Sequence, residues 1–132
     1  MAQVHFNSRD PIYLQVIDYF RKQLVGDELA LGEELPSRRQ IARQLGINPN
    51  TVQRAFSEME EQKWIYTEPN RPSRVTENPA MIQKLKQEYV EMAVKEFVAS
   101  IQTINITYEE ISELIANEIQ NQSNKNGGIQ DD

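Results

Sequence analysis

The chain predicts a mainly α-helical fold with one small β-hairpin, and three features of the sequence carry that expectation. Two helix signatures sit either side of a single glycine turn, two strand-forming couplets flank a proline-bearing turn, and two apolar helical stripes follow. Residues 1–9 read as an extended lead-in. Asp10-Pro11 then supplies an N-cap and a first-turn proline, and Tyr13, Val16, Ile17, Phe20 and Leu24 fall on one helical stripe that ends near Gly26. From Glu28 to Glu34, Leu29 and Leu31 alternate and Gly32 turns the chain, so a short connecting strand or extended loop is expected there.

The next helix begins at Ser37, whose hydroxyl can accept an N–H of the first turn, with Gln40 completing a capping box three residues on. Ile41, Ala42 and Leu45 form its apolar face. Gly46 follows at once, where a left-handed residue ends a helix without strain, and Ile47 is expected to plug the turn. A second start signal comes immediately: Asn48 is a good N-cap and Pro49 loses only an N–H that would be unpaired anyway. Val52, Ala55, Phe56 and Met59 recur at helical spacing and face a core, which leaves Asn50, Thr51, Gln53, Arg54 and Ser57 outward. Asn and Gln can bond adenine bidentately, Arg can bond guanine, and Thr can bond a base or touch a thymine methyl. Polar residues face outward on any solvated helix. The tight coupling of two helices is what points to a helix-turn-helix that reads a major groove.

Trp64 to Thr67 and Arg74 to Thr76 are strand formers, and residues 68–73 between them are turn residues. A hairpin behind a helix-turn-helix makes a winged helix, with Arg71 and Arg74 placed to touch phosphate or the minor groove. Asn78-Pro79 marks a boundary. Beyond it Ile82, Leu85, Tyr89, Met92, Ala93, Phe97, Ile101 and Ile104 recur at helical intervals. Thr107 and Glu110 form a further capping box ahead of Ile111, Leu114, Ile115 and Ile119. The expected organisation is a winged helix-turn-helix over 1–78, an α-helical hairpin over 79–119 and a disordered end over 120–132. Two amphipathic helices cannot bury both apolar faces on each other alone, so Leu85, Tyr89, Met92, Phe97, Ile101, Leu114 and Ile115 are expected to form a homodimer seam.

Composition narrows the function further. The 132 residues include no cysteine and one histidine, His5, which leaves almost no material for a transition-metal site within one chain. No paired nucleophile and base and no phosphate-cradling glycine loop stand out, so neither catalysis nor a cofactor is expected. No apolar run approaches a membrane span and the amino terminus lacks a secretory pattern, which gives a cytoplasmic expectation. The net charge of -6 is unevenly spread. Residues 1–78 carry ten Lys/Arg against eleven Asp/Glu, and residues 79–132 carry four against nine. From Leu35 to Arg54 there are four arginines (Arg38, Arg39, Arg43, Arg54) and no carboxylate, the local positive footprint that phosphate binding needs.

Pro11-Ile12-Tyr13-Leu14-Gln15, Leu35-Pro36-Ser37-Arg38-Arg39 and the run from Leu45 to Phe56 resemble the GntR family of bacterial transcription regulators over about residues 10–76. The short two-helix tail resembles the YtrA-like subgroup, in which the tail makes the homodimer. The resemblance implies that Ser37 and Arg39 hold phosphate or reach a base, that Asn48, Asn50, Thr51, Gln53 and Arg54 sit at the groove, and that Arg38 is an additional phosphate contact. Two departures stand out: Pro49 occupies a position where many relatives carry arginine, and neither Gln62-Lys63-Trp64 nor the turn from Pro69 to Ser73 contains the usual glycines. The expected partners are a double-stranded operator and a second copy of the chain. Any small-molecule effector is expected at the junction of tail and winged domain. The competing class is a winged helix that binds protein, in which Arg38, Arg39 and Arg54 form salt bridges instead of phosphate contacts.

Overall fold

The start of the first helix is fixed by side chains that fold back on the backbone. In the computed structural model, which describes residues 4–130, Gln15 donates from Nε2 to the carbonyl oxygens of Asn7 at 3.0 Å and Asp10 at 2.9 Å, and its Oε1 accepts the Asn7 N–H at 2.9 Å. The Asn7 Oδ1 in turn accepts the N–H groups of Arg9 and Asp10. Helix α1 (Ile12–Val25) therefore starts with Pro11 at the cap position and without a side-chain cap. Asp10, the expected N-cap, is held in the preceding knot instead. At the other end Gly26 is the C-cap at φ -88°, where the helix is expected to end, and the left-handed residue is Asp27 at φ 59°.

Helix α2 (Arg38–Leu45) begins and ends, and α3 (Pro49–Glu61) begins, where the sequence signals lie. Ser37 Oγ accepts the Gln40 N–H at 3.0 Å, Gly46 ends α2 at φ 67°, and Asn48 Oδ1 accepts the Asn50 N–H at 2.8 Å. Val16, Ile17, Phe20 and Leu24 of α1 meet Ile41 and Ala42 of α2 and Val52, Ala55, Phe56 and Met59 of α3 in one core. Phe20 and Phe56 cross edge to face with centroids 5.8 Å apart, the arrangement their quadrupoles favour. Ile47 is half-buried against this core, as a plug in the turn should be.

The hairpin pairs β1 (Ile65–Tyr66) with β2 (Arg74–Val75) antiparallel, Ile65 opposite Val75 and Tyr66 opposite Arg74. The segment before α2 joins it through a single bridge between Glu34 and Arg74, with the Val75 N–H bonded to the Glu33 carbonyl and the Leu35 N–H to that of Ser73. The Tyr66 hydroxyl donates to Glu77 Oε1 at 2.9 Å, and that bond to a carboxylate holds the phenol above its ordinary range. The chain enters β1 through Lys63 at φ 67°, a left-handed residue with a side chain, within the Gln62-Lys63-Trp64 stretch where a glycine is expected from the resemblance. Lys63→Gly is expected to stabilise the fold by roughly 0.5–1 kcal/mol, because relief of the strained backbone exceeds the added freedom of the unfolded chain. A higher urea midpoint at unchanged slope is the expected reading; a lower midpoint contradicts it.

Helices α4 (Pro79–Ile101) and α5 (Tyr108–Gln130) complete the chain, whose contacts divide it into one unit ending at Ala93 and a second beginning at Val94. The start of α4 packs with the winged unit. Leu85 is buried in its core, Met81 and Ile82 pack against it, and Lys86 Nζ lies 3.0 Å from Asp27 Oδ1. Leu85 is thereby removed from the expected seam. In the second unit Thr107 caps α5, its Oγ1 accepting the Glu110 N–H at 3.1 Å. The helix continues to Gln130 where disorder was expected from Gln120. Side-chain bonds one turn apart, Gln122 to Glu118 and Gln120 to Asn124, accompany that extension, and no proline interrupts it. Of the expected disordered end, residues 131 and 132 lie outside the described residues, as do residues 1–3 of the lead-in. Among the described residues, no helix is long and apolar enough to cross a membrane.

Candidate nucleic-acid interface

The capping that starts α2 and α3 also leaves polar atoms over. Ser37 Oγ accepts from Gln40, so its own O–H remains a donor; Asn48 uses Oδ1 on Asn50, so its amide N–H₂ remains as well. Arg39 and Arg43 lie four residues apart on one face of α2, both exposed and with no carboxylate partner among the described residues. On α3, Asn50, Gln53 and Arg54 are exposed and Thr51 is half-buried, while Gln53 Nε2 donates to Ser57 Oγ at 3.2 Å. Residues 35–57 contain no carboxylate, so this surface is positive although the chain as a whole is acidic.

Two of the expected contact residues are committed elsewhere. Arg38 donates from Nη2 to Glu60 Oε1 at 2.7 Å, its guanidinium carbon sits 4.9 Å from the Phe56 ring centroid, and its Nε is buried. Glu60 Oε1 also accepts from Thr67 Oγ1, which shares a 2.6 Å bond with the buried Ser73 Oγ. Arg38 thus ties the start of α2 to the end of α3 and to the wing. Arg74 donates from Nη1 to the Gly32 carbonyl at 2.9 Å and lies 3.9 Å from Glu34 Oε1, which fastens β2 to the loop before α2. Arg71 is the exposed wing arginine, at 3.9 Å from Glu68 Oε2, a separation in solvent that restrains it little.

Arg43, expected only to add to the local charge, stands one helical turn from Arg39, and the i, i+4 spacing of the two is legible in the sequence. An open groove of about 650 Å³ runs between the start of α2 and the wing, lined by Glu33, Glu34, Ser37, Arg38, Arg71 and Ser73. A smaller cavity of about 370 Å³ lies within the winged unit, between Asp27, Leu29 and Leu31 and the Pro79, Ile82 and Lys86 of early α4.

Two short helices about a glycine turn, the second presenting amides and a guanidinium, with a hairpin following, define a winged helix-turn-helix protein. Residues 12–75 match the family described as "Bacterial regulatory proteins, gntR family". The chain belongs to the GntR family and is a DNA-binding transcriptional regulator of that type, with a short helical tail of the YtrA-like kind. It is 36% identical over 108 residues to the HTH-type transcriptional regulator YhcF of Bacillus subtilis, spanning 82% of this chain and 89% of that one. It is 28% identical over 116 residues to the HTH-type transcriptional repressor YtrA of the same organism, spanning 87% and 89%. A GntR family transcriptional regulator from Listeria monocytogenes superposes with a TM-score of 0.78 at 29% identity, covering 85% of this chain and 98% of that one.

Proposed function

We propose that the protein is a cytoplasmic, sequence-specific transcriptional repressor that binds an inverted-repeat operator as a homodimer. The observation that carries this reading is the carboxylate-free surface of residues 35–57, on which Arg39, Arg43, Asn50, Gln53 and Arg54 stand exposed together. In this reading Asn50, Thr51, Gln53 and Arg54 meet base edges, and Ser37, Arg39, Arg43, Asn48 and Arg71 hold phosphate. Arg38 and Arg74 support the interface from behind. A repressor role is supported by the likeness to YtrA, and a dimer by the exposed apolar residues Met92, Phe97, Leu114 and Ile115 of the tail.

The duplex that the parent chain recovers from a random library supplies the test. Gln53→Ala is expected to lose about 1–3 kcal/mol on that duplex and to relax preference at one or two base positions. Arg39→Ala is expected to weaken selected and scrambled duplexes alike and to shallow the salt dependence by about one charge per half-site. Equal losses on selected and scrambled DNA for both variants would defeat the division into base and phosphate contacts.

A further inference from the structure

We propose that Tyr13 is a positioning residue for base reading: its ring holds the Arg54 guanidinium flat, so that the donor edge of that group and not its face meets the base. This rests on Arg54 contacting a base, as proposed above. The guanidinium carbon of Arg54 lies 3.7 Å from the centroid of the Tyr13 ring. A guanidinium aiming one N–H at the ring would hold its carbon a bond length further out; 3.7 Å is the separation of a guanidinium lying on the ring face, the geometry that the proposal takes. In that arrangement the five N–H donors lie in the plane parallel to the ring, and stacking leaves them free for the paired acceptors of a guanine.

Arg54 differs in this from the other two arginines that lie over rings. Arg21, 5.4 Å from the Trp64 centroid, is also paired with Asp18 at 3.3 Å, and Arg38, 4.9 Å from Phe56, is paired with Glu60 at 2.7 Å. Their donors are engaged by carboxylates. Arg54 has no carboxylate partner among the described residues, and the ring is the contact that fixes its head group. The platform is itself set among fixed neighbours. Tyr13 is half-buried in the first turn of α1, between the knot that Gln15 makes with Asn7 and Asp10 and the fully packed Val16 and Ile17. The string Pro11-Ile12-Tyr13-Leu14-Gln15 thereby acquires a role in recognition: a helix outside the helix-turn-helix sets the geometry of a reader on α3. An arginine ordered before DNA arrives loses less side-chain freedom on binding, which favours the base it fits over the others.

The experiment compares Tyr13→Leu, Tyr13→Phe, Arg54→Ala and the Tyr13→Leu/Arg54→Ala double variant of the full chain on the library-selected duplex and on a scrambled one. Tyr13→Leu is expected to lose about three- to tenfold on the selected duplex, at the base position that Arg54→Ala relaxes, with the scrambled duplex unchanged. Tyr13→Phe keeps the ring and is expected to stay within about twofold of the parent. The double variant is expected to bind no more weakly than Arg54→Ala alone, because the ring acts through that arginine. Urea unfolding checks each variant, and Tyr13→Met carries the same expectation if Tyr13→Leu does not fold. Losses from Tyr13→Leu that are equal on both duplexes, or that add in full to those of Arg54→Ala, overturn the proposal. So does a Tyr13→Phe loss matching that of Tyr13→Leu, which would place the action in the hydroxyl. If Arg54→Ala by itself leaves base preference intact, the base-reading role of Arg54 falls, and that result is seen without any change at Tyr13.

Discussion

Phe97→Glu is expected to lower affinity for the full inverted repeat by about a hundredfold or more while leaving binding to a single half-site within about twofold. The residue lies on α4, 41% exposed, with Val94 and Val98 also exposed beside it on the same helix. A face of this kind needs a cover, and in the proposed dimer the cover is the same face of a second chain. A two-fold axis would then bring each new carboxylate into an apolar seam, where desolvation and repulsion both oppose association. None of the proposed DNA contacts is altered. The second half-site is consequently reached from bulk solution and no longer from a tethered partner, and the affinity of the palindrome falls toward that of one half. Sedimentation of the variant should give a monomer at micromolar concentration. A variant that binds the palindrome as tightly as the parent would show that association through this face is not what makes the protein bind DNA.

Phe56→Ala is expected to destabilise the winged unit by about 3–5 kcal/mol. The ring is 1% exposed, meets Phe20 edge to face and carries the Arg38 guanidinium on one side, so its removal leaves a cavity and takes away the surface that orients Arg38 toward Glu60. Domains of this size have only about 5–15 kcal/mol in hand, so a large part of the stability is at stake. Operator binding should decline with the folded fraction and recover in conditions that restore folding. A loss below about 1 kcal/mol in urea unfolding would mean that the core does not depend on this ring as its burial requires.

What was legible in the sequence was local. Ser37, Gly46 and Asn48-Pro49 each act on backbone groups within a turn of themselves, so residue type and spacing were enough to place α2, α3 and the turn between them. The burial of Val52, Ala55, Phe56 and Met59 followed from helical periodicity for the same reason. The partners of Arg38 and Arg74 are not legible in this way because they are remote in the chain: Glu60 lies 22 residues from Arg38, and Gly32 lies 42 residues from Arg74. An arginine at a helix start looks the same in sequence whether its head group faces solvent or a distant carboxylate. Leu85 belongs to this class too, since periodicity shows that it is apolar and not which surface it covers. The glycine-free wing shows a further limit. Lys63 and Asn70 take left-handed backbone at φ 67° and 60°, so the hairpin keeps its turns although the residues that usually permit them are missing.

The most direct measurement is the affinity of the full chain for the duplex it selects from a random library against a scrambled duplex of equal length and composition, at physiological salt. A dimer that reads bases through Asn50, Thr51, Gln53 and Arg54 should bind the selected duplex about a thousandfold or more tightly than the scrambled one. A ratio near one, with both affinities falling equally as salt is raised, would contradict sequence-specific reading and leave a surface that holds DNA by charge alone.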